Sequence, residues 1–177
     1  MWHTERLTIE PLAHEHAEEL VAALDHESVG AFIGGPDVTT AAALHERIDR
    51  LTTGPGPDWP DERWWNFAVR RSSDGAMLGR LEATTYGEWA EVAYVFGPAF
   101  AGRGYATEGV RWLVGHVADE LSVAEQWAAV HPDNLASIRL LERVGFQREP
   151  VSWRPIGSFD DGDLVFHRHA GAPTAQR

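Results

Sequence analysis

The stretch Phe100-Ala101-Gly102-Arg103-Gly104-Tyr105-Ala106-Thr107-Glu108 constrains this chain most, because of what flanks it. Before it, Glu91-Val92-Ala93-Tyr94-Val95-Phe96 is rich in β-branched and aromatic residues and reads as a strand. After it, Val110, Leu113, Val114 and Val117 recur at helical spacing, so a helix opens near Gly104. A strand that ends in a glycine-rich turn and feeds a helix N-terminus can hold a phosphate. The first-turn N–H groups have no partner inside the helix, and the helix dipole adds positive potential. Glycine lets the backbone close on an anion where a Cβ would hold it away. The segment therefore points to a phosphorylated small molecule as ligand.

The remaining elements follow from periodicity and breakers. Leu7, Ile9 and Pro11 alternate with polar residues, which predicts a first strand. Residues 14–24 carry Ala17, Leu20, Val21 and Leu24 on one helical face, and Thr40 caps a second helix through about residue 51, with Leu44 and Ile48 inward. The breaker-rich loop at residues 54–60 separates these from three strands with short connections. Those strands cover residues 65–69, 77–82 and 89–96, with turns at Ser73-Asp74-Gly75 and Tyr86-Gly87, and they predict an antiparallel meander. A helix over residues 104–120 and a strand over 125–130 come next. Asp133 or Asn134 caps a helix whose apolar face is Ile138, Leu141 and Val144 and which stops at Gly145. A short strand at Phe146, a loop and a last strand over residues 164–169 close one mixed α/β domain, residues 1–170, and residues 171–177 are expected as a disordered tail.

Composition removes several classes. The 177 residues suffice for one core and not for two comfortable domains. Fifteen Lys and Arg against 27 Asp and Glu give a net charge of −12, which argues against a nucleic-acid partner and suits an amine-bearing substrate as well as plain solubility. An anionic ligand must then be held by local backbone donors and a few arginines. The absence of cysteine excludes disulfides, thiolate zinc sites and a cysteine acyl-enzyme. No apolar run approaches the ~18 residues of a membrane span. Met1-Trp2-His3-Thr4-Glu5 does not read as a signal peptide, so no membrane association and a cytoplasmic location are expected.

This order of elements, with Ala101-Gly102-Arg103-Gly104-Tyr105-Ala106 between strand and helix, resembles the GNAT superfamily of acyl-CoA-dependent N-acyltransferases over nearly the whole chain. The opening Thr4-Glu5-Arg6-Leu7-Thr8-Ile9-Glu10-Pro11-Leu12 is similar to the RimJ/RimL-like group. So is the later Asn134-Leu135-Ala136-Ser137-Ile138-Arg139-Leu140-Leu141-Glu142-Arg143-Val144-Gly145-Phe146. The resemblance implies an α/β fold with a central, mostly antiparallel sheet of about seven strands flanked by about four helices. It implies transfer of the acetyl group of acetyl-CoA to a primary amine, either a protein N-terminus or a small molecule. The family's phosphate signature Gln/Arg-x-x-Gly-x-Gly/Ala is met at Gly104 and Ala106, while its first position is Ala101. By resemblance, Ala101, Gly102, Arg103, Gly104, Tyr105 and Ala106 wrap the pyrophosphate. The edge of Tyr94, Val95 and Phe96 takes the pantetheine arm, a sheet-edge mode of recognition. Asn134 also contacts that arm, with Ser137 on the same helix face.

The amine must lose a proton before it attacks, and the resulting oxyanion needs a fixed donor. With no cysteine and no Gly-x-Ser-x-Gly elbow, direct transfer in a ternary complex is expected. Glu91 is the first candidate base, against an exposed strand carboxylate, and Glu82 is the second candidate and a substrate-side residue. Many relatives carry an acidic tyrosine where this chain has Leu141, so Ser137 is the candidate group at the CoA sulfur, against a plain helix serine. Phe32 with Ile33-Gly34-Gly35, and Trp64 with Trp59, are candidates for the acceptor cleft, with Trp65 in the core. Asp160, Asp161 and Asp163 face an amine or form a solvated turn, and His131 borders the cleft. No metal is expected: His14-Glu15-His16 lacks the His-Glu-x-x-His spacing, and His167 and His169 read as neighbours on a terminal strand. The competing class is a non-catalytic acyl-CoA-binding or sensing module. A dinucleotide oxidoreductase is disfavoured because Gly102-Arg103-Gly104 lacks the third glycine and follows antiparallel strands. Monomer and homodimer both stay open.

Overall fold

Two ten-residue strands, β3 (Glu62–Arg71) and β4 (Met77–Tyr86), form the middle of a sheet, and each side of that sheet is covered by different helices. The computed structural model describes residues 1–30, 32, 40–150 and 159–171. In chain order the other elements are β1 (Trp2–His3), β2 (Leu7–Pro11), α1 (Ala17–Leu24), α2 (Glu27–Gly30) and α3 (Ala41–Thr53) before β3, then β5 (Trp89–Phe96), α4 (Tyr105–Asp119), β6 (Glu125–Val130), α5 (Leu135–Arg143), β7 (Gln147–Glu149) and β8 (Leu164–His169) after β4. The sheet runs β1-β2-β3-β4-β5-β6-β8-β7. Every neighbouring pair is antiparallel except β5 with β6.

Period-2 alternation gives the sheet two apolar faces. Leu7, Ile9, Phe67, Leu81 and Ala83 lie under the Val110, Leu113, Val114 and Val117 stripe of α4. Ala68, Met77 and Val95 lie on the other face under Leu20 and Leu24 of α1 and Leu44 and Ile48 of α3. Each fully buried Leu or Val contributes about 1.5–3 kcal/mol, so both helix layers are fixed to the sheet by several independent anchors. Thr40 caps α3 as expected, its Oγ1 accepting the Ala43 N–H at 3.1 Å. Asn134 caps α5, and Gly145, at φ 96°, follows its end.

The described sheet has eight strands where about seven were expected, and five α-helices where about four were. The additional strand, β1, has two residues, too few for alternation to show. It pairs Trp2 with Ile9, and the Trp2 ring meets Phe67 and Trp112 at centroid distances of 5.5 and 5.4 Å. The additional helix, α2, is a four-residue turn. The first helix begins as a 3-10 turn at His14–His16, where His16 Nδ1 accepts the Ala13 N–H at 3.0 Å. β3 and β4 run longer than their apolar runs because Glu62, Arg63 and Trp64 still pair with Tyr86, Thr85 and Thr84. The short strand follows Phe146 instead of including it, and Phe146 is buried in the α4-side core. Residues 172–177 of the expected tail lie outside the described residues.

The feature that positions the site is a failure of pairing. β5 and β6 are in register only at Trp89↔Glu125, Ala90↔Gln126 and Glu91↔Trp127. Beyond Glu91 the two strands part, while β6 stays paired with β8 along its whole length.

Candidate active site

The parting of β5 and β6 leaves one edge of β5 without a neighbouring strand. Gly97 N–H donates to Leu78 O at 2.8 Å, so alternation turns the N–H and C=O of Tyr94 and Phe96 away from β4, toward the opening. Two hollows meet there. One, of about 290 Å³, runs past Phe96, Pro98 and Ala106 toward the glycine loop. The other, of about 240 Å³, lies between β5 and β6 and is walled by Arg47, Arg80, Glu82, Ala93 and Ala129, among others. Phe32, Tyr94, Val95, Asn134 and Ser137 line both, so these five mark the junction.

At the loop end, Gly102 (φ 75°) and Gly104 (φ 80°) take left-handed backbone that lets the chain turn sharply into α4. Gly104 is the cap residue of α4, and no side chain caps the helix among the described residues. Arg6 braces this turn: its Nη1 donates to Arg103 O at 2.9 Å, and its guanidinium lies 4.7 Å from the centre of the Tyr105 ring. Glu108 in the first turn receives Arg6 N–H at 2.8 Å, Arg6 Nε at 2.7 Å and Thr4 Oγ1 at 2.6 Å. Burial works to raise the Glu108 carboxyl, but the Thr4 and Arg6 hydrogen bonds prevail and hold it below the usual carboxylate range. The opening Thr4-Glu5-Arg6 thus acts on the loop from more than ninety residues away. Ala101 N–H closes a 3-10 turn onto Pro98 O at 3.0 Å, and the Arg103 side chain is exposed.

At the junction, Tyr94 Oη and Ser137 Oγ are 2.6 Å apart, joining β5 to the first turn of α5. Burial pushes the Tyr94 phenol up to about 12, with the Ser137 hydrogen bond opposing. Asn134 Oδ1 accepts the Ser137 N–H at 3.1 Å, which fixes where that hydroxyl stands. Leu141 also lines the cleft and is buried, so the hydroxyl pair, not the Leu141 position, supplies O–H groups here. The sequence reading used the Tyr94 backbone and missed its hydroxyl.

The carboxylates divide. Glu82 is in the cleft wall, bound by Arg47 Nη2 at 3.0 Å and facing Arg80 Nη1 at 3.0 Å. Neither arginine was singled out from sequence, although Arg80 and Glu82 two apart on one strand share a face, which was a readable signal. Glu91 is 8% exposed and therefore buried, not an exposed strand carboxylate. It sits on the same face as Glu82, opposite Thr84 on β4 and Trp127 on β6, just where the strands part, and is not among the residues lining the two hollows. Asp160, Asp163 and His131 line the cleft, and the Phe32 ring packs against His131 at 5.6 Å. Ile33-Gly34-Gly35 lie outside the described residues. Trp64 and Trp59 line a separate hollow at the β4–β5 hairpin, and Trp65 packs against the core. His167 and His169 share a face and both bond Glu125, each at 2.5 Å.

The acetyltransferase (GNAT) domain family matches residues 6–147. FsC-acetyl coenzyme A-N(2)-transacetylase of Aspergillus fumigatus is 28% identical over 154 residues, which cover 81% of this chain and 63% of that protein. The chain thus spans less than two thirds of that relative's length. A Bacillus licheniformis protein named "Uncharacterized N-acetyltransferase p20" is 37% identical over 151 residues, covering 83% of this chain and 82% of its own. The solved ribosomal-protein-S5-alanine acetyltransferase from Vibrio fischeri superposes with a TM-score of 0.75 at 13% identity, covering 95% of each chain, and shares the fold.

Proposed function

The chain belongs to the GNAT acetyltransferase family, and on that premise we propose that it moves the acetyl group of acetyl-CoA directly to a primary amine in a ternary complex. The observation that carries this reading is the junction of the two hollows at Tyr94, Asn134 and Ser137, with a glycine loop at one end and a charged cleft at the other. The pyrophosphate sits on the backbone of residues 101–106 and the N-terminus of α4. The pantetheine arm adds to the free edge of β5 at Tyr94 and Phe96 as an extra strand would. The thioester then lies at the junction, where a β5 backbone N–H stabilises the oxyanion.

The amine attacks the carbonyl carbon, the C–N bond forms and the C–S bond breaks. The amine's proton leaves toward Glu91 through water, and the departing sulfur takes a proton from the Tyr94–Ser137 pair. The Tyr94 phenol, pushed up to about 12 by burial, is protonated at neutral pH and so has a proton to give. Glu82, gripped by Arg47 and Arg80, shapes the acceptor wall. On this reading residues 1–170 act as one domain, in the cytoplasm, and the opening segment and the Asn134 helix support membership of the RimJ/RimL-like group. The acceptor is a protein N-terminus or a small amine.

The test is acetyl-CoA-dependent thiol release over N-terminal peptides, amino acids, polyamines and aminoglycosides, with thermal-shift binding of acetyl-CoA alongside. Release with one acceptor class is expected. Binding without release from any acceptor would favour a non-catalytic module, and no binding would refute the site.

A further inference from the structure

The hollow at the β4–β5 hairpin, about 590 Å³, is walled by Trp59, Trp64, Tyr86, Trp89 and Glu62, with Pro55 and Gly56 at its rim. Large rings at a surface normally turn inward, yet Trp59 is 64% exposed. The other rings make specific contacts. Trp64 Nε1 donates to Glu62 Oε1 at 2.5 Å, which locks an indole against a carboxylate. The Tyr86 and Trp89 rings stack at 4.0 Å and 18°, forming a flat slab. Strand pairing (Glu62↔Tyr86, Trp64↔Thr84, Tyr86↔Trp89) sets Glu62, Trp64, Tyr86 and Trp89 on one face of the sheet. That is the face of Glu82 and Ala93 in the cleft wall.

Aromatic faces carry negative potential, and a cation between them is attracted most strongly when it is partly desolvated. The Glu62 carboxylate in the wall adds to this. The Tyr86 phenol is pushed up to about 12, first by burial and then by Glu91 and Glu62. Among the described residues, the wall contains no lysine or arginine. A neutral ring would use the slab but not the Glu62 carboxylate; an alkylammonium uses both. Along β4, Glu82 and Tyr86 are four residues apart, about 13 Å at strand rise.

We infer that the hairpin hollow is a cation subsite for the acceptor: the amine substrate carries a second, alkylammonium-type positive group that reaches from the Glu82 wall along about 13 Å of strand to the hairpin. This rests on the acetyl-transfer reading for the first nitrogen only; binding of the cation itself needs no catalysis.

The test therefore starts without acetyl-CoA. Choline and its uncharged isostere, 3,3-dimethylbutanol, are titrated calorimetrically into wild type, Glu62→Gln and Trp64→Leu. Choline is expected to bind about tenfold more tightly than the isostere, and each substitution to erase most of that difference. Equal binding of the two probes, no choline binding to wild type, or full choline preference in Glu62→Gln would each overturn the subsite. Glu62→Gln preserves side-chain volume, so it decides the matter even if Trp64→Leu fails to fold. Acetylation of nonamethylenediamine is then compared with that of nonylamine. The diamine is expected to be about tenfold better in kcat/KM for wild type and no better for Glu62→Gln. Equal efficiency in wild type would refute the link between subsite and cleft. If neither amine is acetylated, the transfer reading fails for these acceptors while the choline result still decides the cation subsite.

Discussion

Replacing Gly104 tests the phosphate loop most directly, and the structure sets what each substitution does. At φ 80° any residue with a Cβ is strained by about 1–2 kcal/mol. Gly102, at φ 75°, carries the same strain and has nothing within 4 Å of a built Cβ, so Gly102→Ala isolates the backbone cost. At Gly104 the Cβ lies 3.4 Å from Arg6 Nη2, the group that also holds Glu108 at 2.6 Å. Gly104→Ala should therefore match Gly102→Ala in stability. Gly104→Val adds branched methyls that press on Arg6 and crowd the first-turn N–H groups. For a chain of this length, 1–2 kcal/mol lowers Tm by roughly 2–8 °C, which leaves a folded protein to assay. A backbone N–H bonded to a charged phosphate contributes about 1.5–3 kcal/mol, so losing one lowers acetyl-CoA affinity about ten- to hundredfold. Urea melts and calorimetric titration of acetyl-CoA read the two effects separately. A folded Gly104→Val protein with wild-type acetyl-CoA affinity would refute the loop as the phosphate site.

Tyr94→Phe and Ser137→Ala should each lower kcat by about 100-fold or more. The double variant should be no slower than the worse single, because the two hydroxyls form one unit; additive losses in steady-state kinetics would separate them. The Glu108 carboxyl is held below its unfolded pKa of about 4.3. The stability it contributes is thus present above that value and disappears as pH falls through the folded pKa. Urea midpoints should fall between about pH 5 and pH 3 in wild type and fall less in Glu108→Gln; parallel curves would show that the Arg6 clamp has no weight. Gln126 is fully buried, donating to Val114 O at 2.8 Å and accepting Arg168 Nη1 at 3.0 Å. Gln126→Leu leaves polar partners unsatisfied at about 1–3 kcal/mol each, and a loss below about 1 kcal/mol in urea melting would mean that they find other partners.

What could be read from the sequence was what is local. The α4 stripe, the Thr40 and Asn134 caps and the turns at Gly75 and Gly87 are encoded within a few residues, and each falls where expected. What could not be read depends on distant segments meeting. Tyr94 is an ordinary strand aromatic until α5 sets Ser137 beside it, 43 positions later. Arg47 is a plausible solvent-facing helix residue until α3 packs over β4 and its guanidinium reaches Glu82, 35 positions away. Trp64 is a cleft candidate by neighbourhood, but strand pairing sets it opposite Thr84, two residues further along β4 from Glu82 and beside a different hollow. The opening itself is defined by three register pairs between β5 and β6 and by their end at Glu91. Alternation specifies which side of a strand is buried; it does not specify where a neighbour departs. The catalytic reading depends on that departure, because it leaves the Tyr94 and Phe96 backbone groups facing the opening instead of paired within the sheet.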